Sequence, residues 1–309
     1  MEPRLIVGID GSESSLPALD WAADEAERQG VPLVLVHAWS WSRNAGHPPG
    51  HTPVRGGREP AYDAVAEDAM RRARDRRPGL DVRLNLSPEG PVAALVEESP
   101  GALAVVTGTR DHGELVSLLR GSVSRAVAAY SHCPVVVVRG LEANRAGDAG
   151  LVTVGIGDVP RARGQAGAVA FALRDAEARH CPVRALRAWR CPAHEPVDHP
   201  PALGYAAHTH ESRARADLGD VLRAHEGRTG AEVRGETAEG RTGDVLLQAT
   251  AKSDLLVVGI HRPHRHLGPR LSAVHHALLH HADCPVAFVP EHEPEHVPGH
   301  ESEHDEEER

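Results

Sequence analysis

The chain has 309 residues, enough for two ordinary domains, and its 40% hydrophobic and 25% charged content is that of a globular protein. No apolar run approaches the ~20 residues that cross a bilayer, and MEPRLIVGID enters a strand-like run without a cationic leader, so a cytoplasmic location without membrane contact is expected. The net charge of −10 is concentrated at one end: residues 291–309 hold nine acids and one arginine, leaving the preceding 290 residues at −2, which excludes a nucleic-acid binder driven by bulk charge.

In chain order, apolar runs rich in Val, Ile and Leu predict strands near 4–9, 32–38, 80–86, 102–107 and 134–138. Between them, ALDWAADEAERQ puts Ala18, Trp21, Ala22 and Ala26 on one helical face, and AYDAVAEDAMRRARDRR carries a similar stripe that must stop before Pro78-Gly79. PVAALVEES, with Pro91 in a first turn, and roughly 122–130 complete the helices. Residues 40–58 are rich in Gly, Pro and polar groups and read as a long loop, a candidate flap over the strand ends.

The same unit then recurs. LIVGID (5–10) is echoed by VTVGIG (152–157), VPLVLVHAW (31–39) by CPVRALRAW (181–189), ALAVVTGTR (102–110) by DLLVVGIHR (254–262), and AAYSHCPVVVV (128–138) by LHHADCPVAFV (279–289). Four blocks in one order identify a tandem repeat. The expected domains are 1–140 and 151–290, with 141–150 as linker and 291–309 as a disordered acidic, His-rich tail. Alternating strands and helices imply two doubly wound α/β domains, each a five-stranded parallel sheet with helices on both faces, whose ligands sit beyond the carboxyl ends of the strands. Cys133, Cys181, Cys191 and Cys284 have no metal-ligand spacing, and Cys133 and Cys284, each before Pro-Val and an apolar run, read as reduced, buried strand residues.

The chemistry concentrates in GTRDHGELVSLLRGSVSRAV (108–127). Gly108 lets the chain leave a strand, and Gly121 and Ser122 offer amides and a hydroxyl at a helix start, with Ser124 adding a second hydroxyl. Such a start suits a phosphate, and it also serves as a plain helix cap. Asp10 ends the first strand, where its carboxylate either accepts hydrogen bonds from a nucleoside or caps the following helix.

VGIDGS, HAW, the G-x2-G-x9-G-S region and the terminal CPVVVV strand resemble the universal stress protein family in its two-domain form, over about residues 3–139 and 151–290. The resemblance implies an adenine nucleotide alpha-hydrolase-like fold and a role in stress adaptation. It implies nucleoside contacts from Ile9 and Asp10, an adenine wall at Ala38, a ribose-phosphate path along Gly108 and Arg110, and phosphate contacts from Gly121, Ser122, Val123 and Ser124. The implied ligand is ATP, with Mg2+ as an accompanying ion that Asp10 and Asp111 could share, and at most one nucleotide per chain. Asp111 replaces the second glycine of the pattern, setting a carboxylate beside phosphate oxygens. The second unit departs further: Gly157 stands at the place of Asp10, Arg262 at that of the second glycine, and Ser272-Ala273 at that of Gly-Ser. Arg262, Arg265 and Arg270 either hold an anion or form a solvated basic loop. The family's pairing through last strands implies that CPVVVV meets CPVAFV within the chain, or that the chain forms a homodimer.

Histidines crowd the second unit in HRPHRH (261–266) and HHALLHH (275–281), where His276 and His280 lie one helical turn apart. Surface histidine in a low-lysine composition accounts for them as well as a metal does. No metal site is assigned. Three classes of function follow: a nucleotide-binding regulator acting through protein partners, a nucleotide-free interaction protein of the same fold, and a weak ATP hydrolase. The third lacks a Walker P-loop, since the only lysine is Lys252, in AKSD, and it shows no GxSxG or HExxH motif.

Overall fold

The structure, a computed structural model, describes residues 2–38, 60–109, 122–157, 166–191, 205–227, 230–261 and 271–291. The first unit runs β1 (Leu5–Ile9), α1 (Leu16–Gln29), β2 (Leu33–Ala38), α2 (Pro60–Arg76), β3 (Val82–Ser87), α3 (Pro91–Glu98), β4 (Ala104–Gly108), α4 (Ser122–Tyr130) and β5 (Val135–Val138). After α5 (Glu142–Ala146) the second repeats it: β6 (Val152–Gly155), α6 (Ala166–Arg179), β7 (Val183–Trp189), α7 (Tyr205–Arg223), β8 (Val233–Glu239), α8 (Thr242–Thr250), β9 (Leu255–His261), α9 (Ala273–His281) and β10 (Val286–Glu291). The long 40–58 loop lies outside the described residues.

Each unit orders its parallel strands 3-2-1-4-5, and the two join into one ten-stranded sheet, β3-β2-β1-β4-β5-β10-β9-β6-β7-β8. The junction is the antiparallel pair β5–β10, with Val136 opposite Ala287. Both strands are fully buried, so the edge that each unit would expose alone is covered by the other. Two apolar layers flank the sheet. On one face the core gathers Trp21, Ala69, Phe171 and Leu218 from α1, α2, α6 and α7. On the other it gathers Leu95, Val127, Leu246 and Leu278 from α3, α4, α8 and α9. Helices on both faces require strands apolar on both sides, which the Val/Ile/Leu runs supply. The outermost strand β8, VRGETAE, is mostly exposed, as its polar sequence demands.

A second bond between the units is ionic. Arg179 of α6 donates to Glu25 of α1 and to Asp175, each at 2.6 Å, with all three side chains buried. The guanidinium also lies 5.6 Å from the Trp21 ring centroid. Burial pushes the Asp175 carboxyl up against the pull of Arg179, whereas Arg179 and Arg28 hold Glu25 below its ordinary range despite burial. The segment 141–150, read from sequence as a linker, is docked: Asn144 donates to the carbonyls of Thr250 and Ser253 at 2.9 Å, and Asp254 accepts from the amides of Ala149 and, just beyond it, Leu151. The four cysteines are free thiols, Cys133 and Cys284 buried.

Two substitutions test this junction by urea unfolding. Val136→Glu, which buries a charge in β5, is expected to destabilise the whole chain by roughly 3–5 kcal/mol, and an unchanged midpoint would remove β5–β10 as the joint. Arg179→Ala strands two carboxyls in the core and is expected to cost about 3–5 kcal/mol at pH 8, with partial recovery as pH falls below about 7 and the Asp175 carboxyl, raised by burial, takes up a proton.

Candidate functional site

The strand order reverses between β1 and β4, which pair side by side, so the crevice of the first unit opens beyond Ile9 and Gly108. Ile9 is a buried core residue whose carbonyl is held at 2.9 Å by His37 Nδ1 on the neighbouring strand. Asp10 follows it directly. One oxygen of its carboxylate accepts from the Ser12 amide at 3.0 Å and from the Ser12 hydroxyl at 2.5 Å, and Ser12 in turn meets Ser14 Oγ at 2.9 Å. A short 3-10 turn at Glu13–Ser15 then leads into α1. These serine bonds fix Asp10 at the mouth of the crevice.

Gly108 ends β4 where a side chain has no room, since a Cβ there would lie 2.6 Å from the Ser14 carbonyl oxygen. Across the crevice, α4 begins at Ser122, and Val123 packs partly buried in the α3/α4 layer. Ser124 is buried and donates its hydroxyl to the Gly108 carbonyl at 2.9 Å, tying the helix start to the strand end. Its proton is therefore spent inside the protein. Ala38, at the end of β2, is buried beside the same mouth. One residue before Gly108, the hydroxyl of Thr107 is buried with no hydrogen-bond partner among the described residues. By strand alternation it faces the same side as Val105, towards α3 and α4. Of the expected contacts, the structure ties Ser124 to Gly108 and places Asp10 directly after Ile9, whereas Ile9 packs on one face of the sheet and Ala38 and Val123 on the other; Arg110, Asp111, Gly121 and the side chain of Ser122 lie outside the described residues.

In the second unit the corresponding positions carry other side chains. Arg187 occupies the place of His37 in the repeated block, and its guanidinium donates to the Gly157 carbonyl and, at 2.7 Å, to Asp217 of α7. His275 occupies the place of Ser124. Its Nδ1 accepts from the Ser272 amide at 3.1 Å, so the neutral ring carries its proton on Nε2 and donates to the Gly259 carbonyl at 3.2 Å. Burial holds this imidazole below the usual histidine range. Glu291, counted in the sequence with the tail, is the last residue of β10 and buried; its carboxylate accepts from the amides of Gly167 and Ala168 at the start of α6. A protein carboxylate thereby occupies the helix dipole on this side of the crevice. Burial drives the Glu291 carboxyl up to about 7, with those two amides pulling the other way.

The roles of His37, His275 and Glu291 escaped the sequence reading. The His37/Arg187 position was visible before Ala-Trp in both repeats, but nothing in spacing revealed that it anchors the neighbouring strand. Among the described residues no group of three or more His, Cys, Asp or Glu converges to hold a metal, and no helix is long and apolar enough to cross a membrane. His276 and His280 both lie on α9, and the 262–270 arginines lie outside the described residues.

A ten-stranded tandem of doubly wound α/β units, each with its crevice at the strand-order reversal, defines a class of paired nucleotide-fold proteins. The model of the universal stress protein family matches residues 1–139 and again 154–290, and the chain belongs to that family as a two-domain member. A universal stress protein of Mycolicibacterium smegmatis is 35% identical over 135 residues, which are 44% of this chain and 45% of that protein. Rv2624c of Mycobacterium tuberculosis is 31% identical over 188 residues, 59% of this chain and 64% of its own. The chain therefore spans about half to two thirds of the curated relatives it matches. A solved universal stress protein from Archaeoglobus fulgidus superposes with a TM-score of 0.64 at 14% identity, covering 93% of this chain and 98% of its own, a likeness in fold.

The buried Glu291 carboxyl predicts a pH dependence. Its pKa in the folded state is raised from 4.5 to about 7, so its contribution to stability is present at low pH and lost as pH rises through that interval. Glu291→Gln is expected to flatten part of the fall in urea midpoint between pH 5 and pH 8, and to stabilise the chain at pH 8 by about 1–3 kcal/mol. An identical pH profile in the variant would show that Glu291 does not titrate in this range.

Proposed function

We propose that the chain is a cytoplasmic, nucleotide-responsive regulator whose first unit binds one adenine nucleotide, ATP, and whose occupancy alters its contacts with protein partners in stress adaptation. The observation that carries this reading is the Asp10 carboxylate, fixed by Ser12 beyond β1 and beside Gly108 at the strand-order reversal. A carboxylate there accepts hydrogen bonds from ribose hydroxyls or an adenine amine. The unpartnered Thr107 hydroxyl and the start of α4 lie on the side where phosphates would go. Ser124, its proton committed to Gly108, orients the helix start rather than donating to phosphate. Gly157 in the place of Asp10 and Ser272-Ala273 in the place of Gly-Ser support a single nucleotide per chain. Mg2+, if it accompanies ATP, would be met by Asp10 and would offset phosphate charge. Binding rather than turnover is the function assigned.

A nucleotide-free interaction protein is the second reading, favoured by Asp10 and Ser124 already being hydrogen-bonded within the protein. Calorimetric titration with ATP separates the two. The parent chain is expected to bind, Asp10→Ala to bind at least tenfold more weakly, and Gly121→Asp to lose binding. No heat with the parent selects the second reading, and turnover well above background with Mg2+ would make the protein a hydrolase.

A further inference from the structure

Helices α1 and α6 correspond residue for residue in the repeat: each has 14 residues, and each is followed by a residue in the left-handed region, Gly30 or His180. Trp21, Glu25 and Gln29 of α1 therefore match Phe171, Asp175 and Arg179 of α6. Val136 and Ala287 likewise hold the same place in CPVVVV and CPVAFV, and they lie opposite each other in the antiparallel pair β5–β10. Positions that face their own counterparts lie on the two-fold relation between two units. The junction thus brings matching residues together, with Trp21, Glu25, Val136, Phe171 and Asp175 around one void of only about 10 Å³. None of the matching pairs is identical.

At three of them the first unit carries the larger member: Val for Ala, Trp for Phe and Glu for Asp. The fourth sets a neutral amide against a cation. Gln29 stays on its own helix and donates to Glu25 at 2.7 Å, whereas Arg179 crosses the junction to serve Glu25 as well as Asp175. Two copies of the first unit on this face would lose both features. Glu25 would meet Glu25 with no guanidinium to bridge them, because Arg28 pairs with the Glu25 of its own helix. Val136 would meet Val136 and Trp21 would meet Trp21 in a space with no room to spare, and overpacking destabilises. Two copies of the second unit would instead leave a gap where Ala287 met Ala287 and Phe171 met Phe171.

We propose that the pairing face of the first unit is selective: its β5–α1 surface accepts the β10–α6 surface of a second unit and rejects a second copy of itself. The partner it fits carries an alanine in the middle of the last strand, a short acid on the facing helix and an arginine one turn further on. Selectivity arises as much from what the wrong pairing would bury as from what the right one gains.

Urea unfolding of full-length chains tests it. Phe171→Trp, Asp175→Glu, Arg179→Gln and Ala287→Val together give the second unit the first unit's residues, and are expected to lower the folded-to-unfolded ratio about a hundredfold or more. Adding Trp21→Phe, Glu25→Asp, Gln29→Arg and Val136→Ala exchanges all four pairs across the junction. That chain is expected to recover at least half of the lost midpoint, and it is read in the same way where the first set alone fails to fold. Two results would overturn the proposal. Parent-like stability of the first set would show that the face accepts its own kind. No recovery in the exchanged chain would confine each residue's effect to its own unit, with nothing read across the junction.

Discussion

Four valines, Val135–Val138, pair antiparallel with Val286–Glu291, and the architecture turns on that pairing. A doubly wound unit whose last strand is an apolar edge cannot stand alone in water without exposing unpaired backbone. Placing a second copy in the same chain satisfies that edge internally, and the 139–151 segment is then pulled against the second unit by Asn144 and Asp254. The Glu25–Arg179–Asp175 cluster lies on one face of this junction, beside Trp21. Its buried charges add little net stability when intact, but they penalise any arrangement that separates α1 from α6.

With the frame fixed, the two crevices differ in the side chains that hold backbone carbonyls near their strand ends. A strand-end carbonyl is held by His37 in one unit and by Arg187 in the other. The carbonyl of the glycine near the end of the fourth strand is held by Ser124 in one and His275 in the other. Each exchange keeps the fold and changes the charge offered to a ligand. In the first unit a carboxylate faces the opening. In the second, the carboxylate of Glu291 is turned inward to the start of α6.

The sequence by itself determined the fold. Strands placed from Val/Ile/Leu runs fall within a residue or two of those observed, for instance Leu5–Ile9 against 4–9, because parallel strands buried on both faces must be continuously apolar. The stripes of α1 and α2 and the four-block repeat were equally legible, since periodicity and order are properties of the chain. The topology brings the carboxyl ends of β1, β2 and β4 to one edge of the sheet, where Asp10, Ala38 and Gly108 stand. Only the tertiary structure decided what the polar groups do once they meet. Ser124 spends its proton on Gly108, Glu291 leaves the acidic tail to cap α6, and Arg187 reaches from β7 to Asp217 of α7. Those outcomes depend on distances between residues tens to more than a hundred positions apart, which no local pattern encodes.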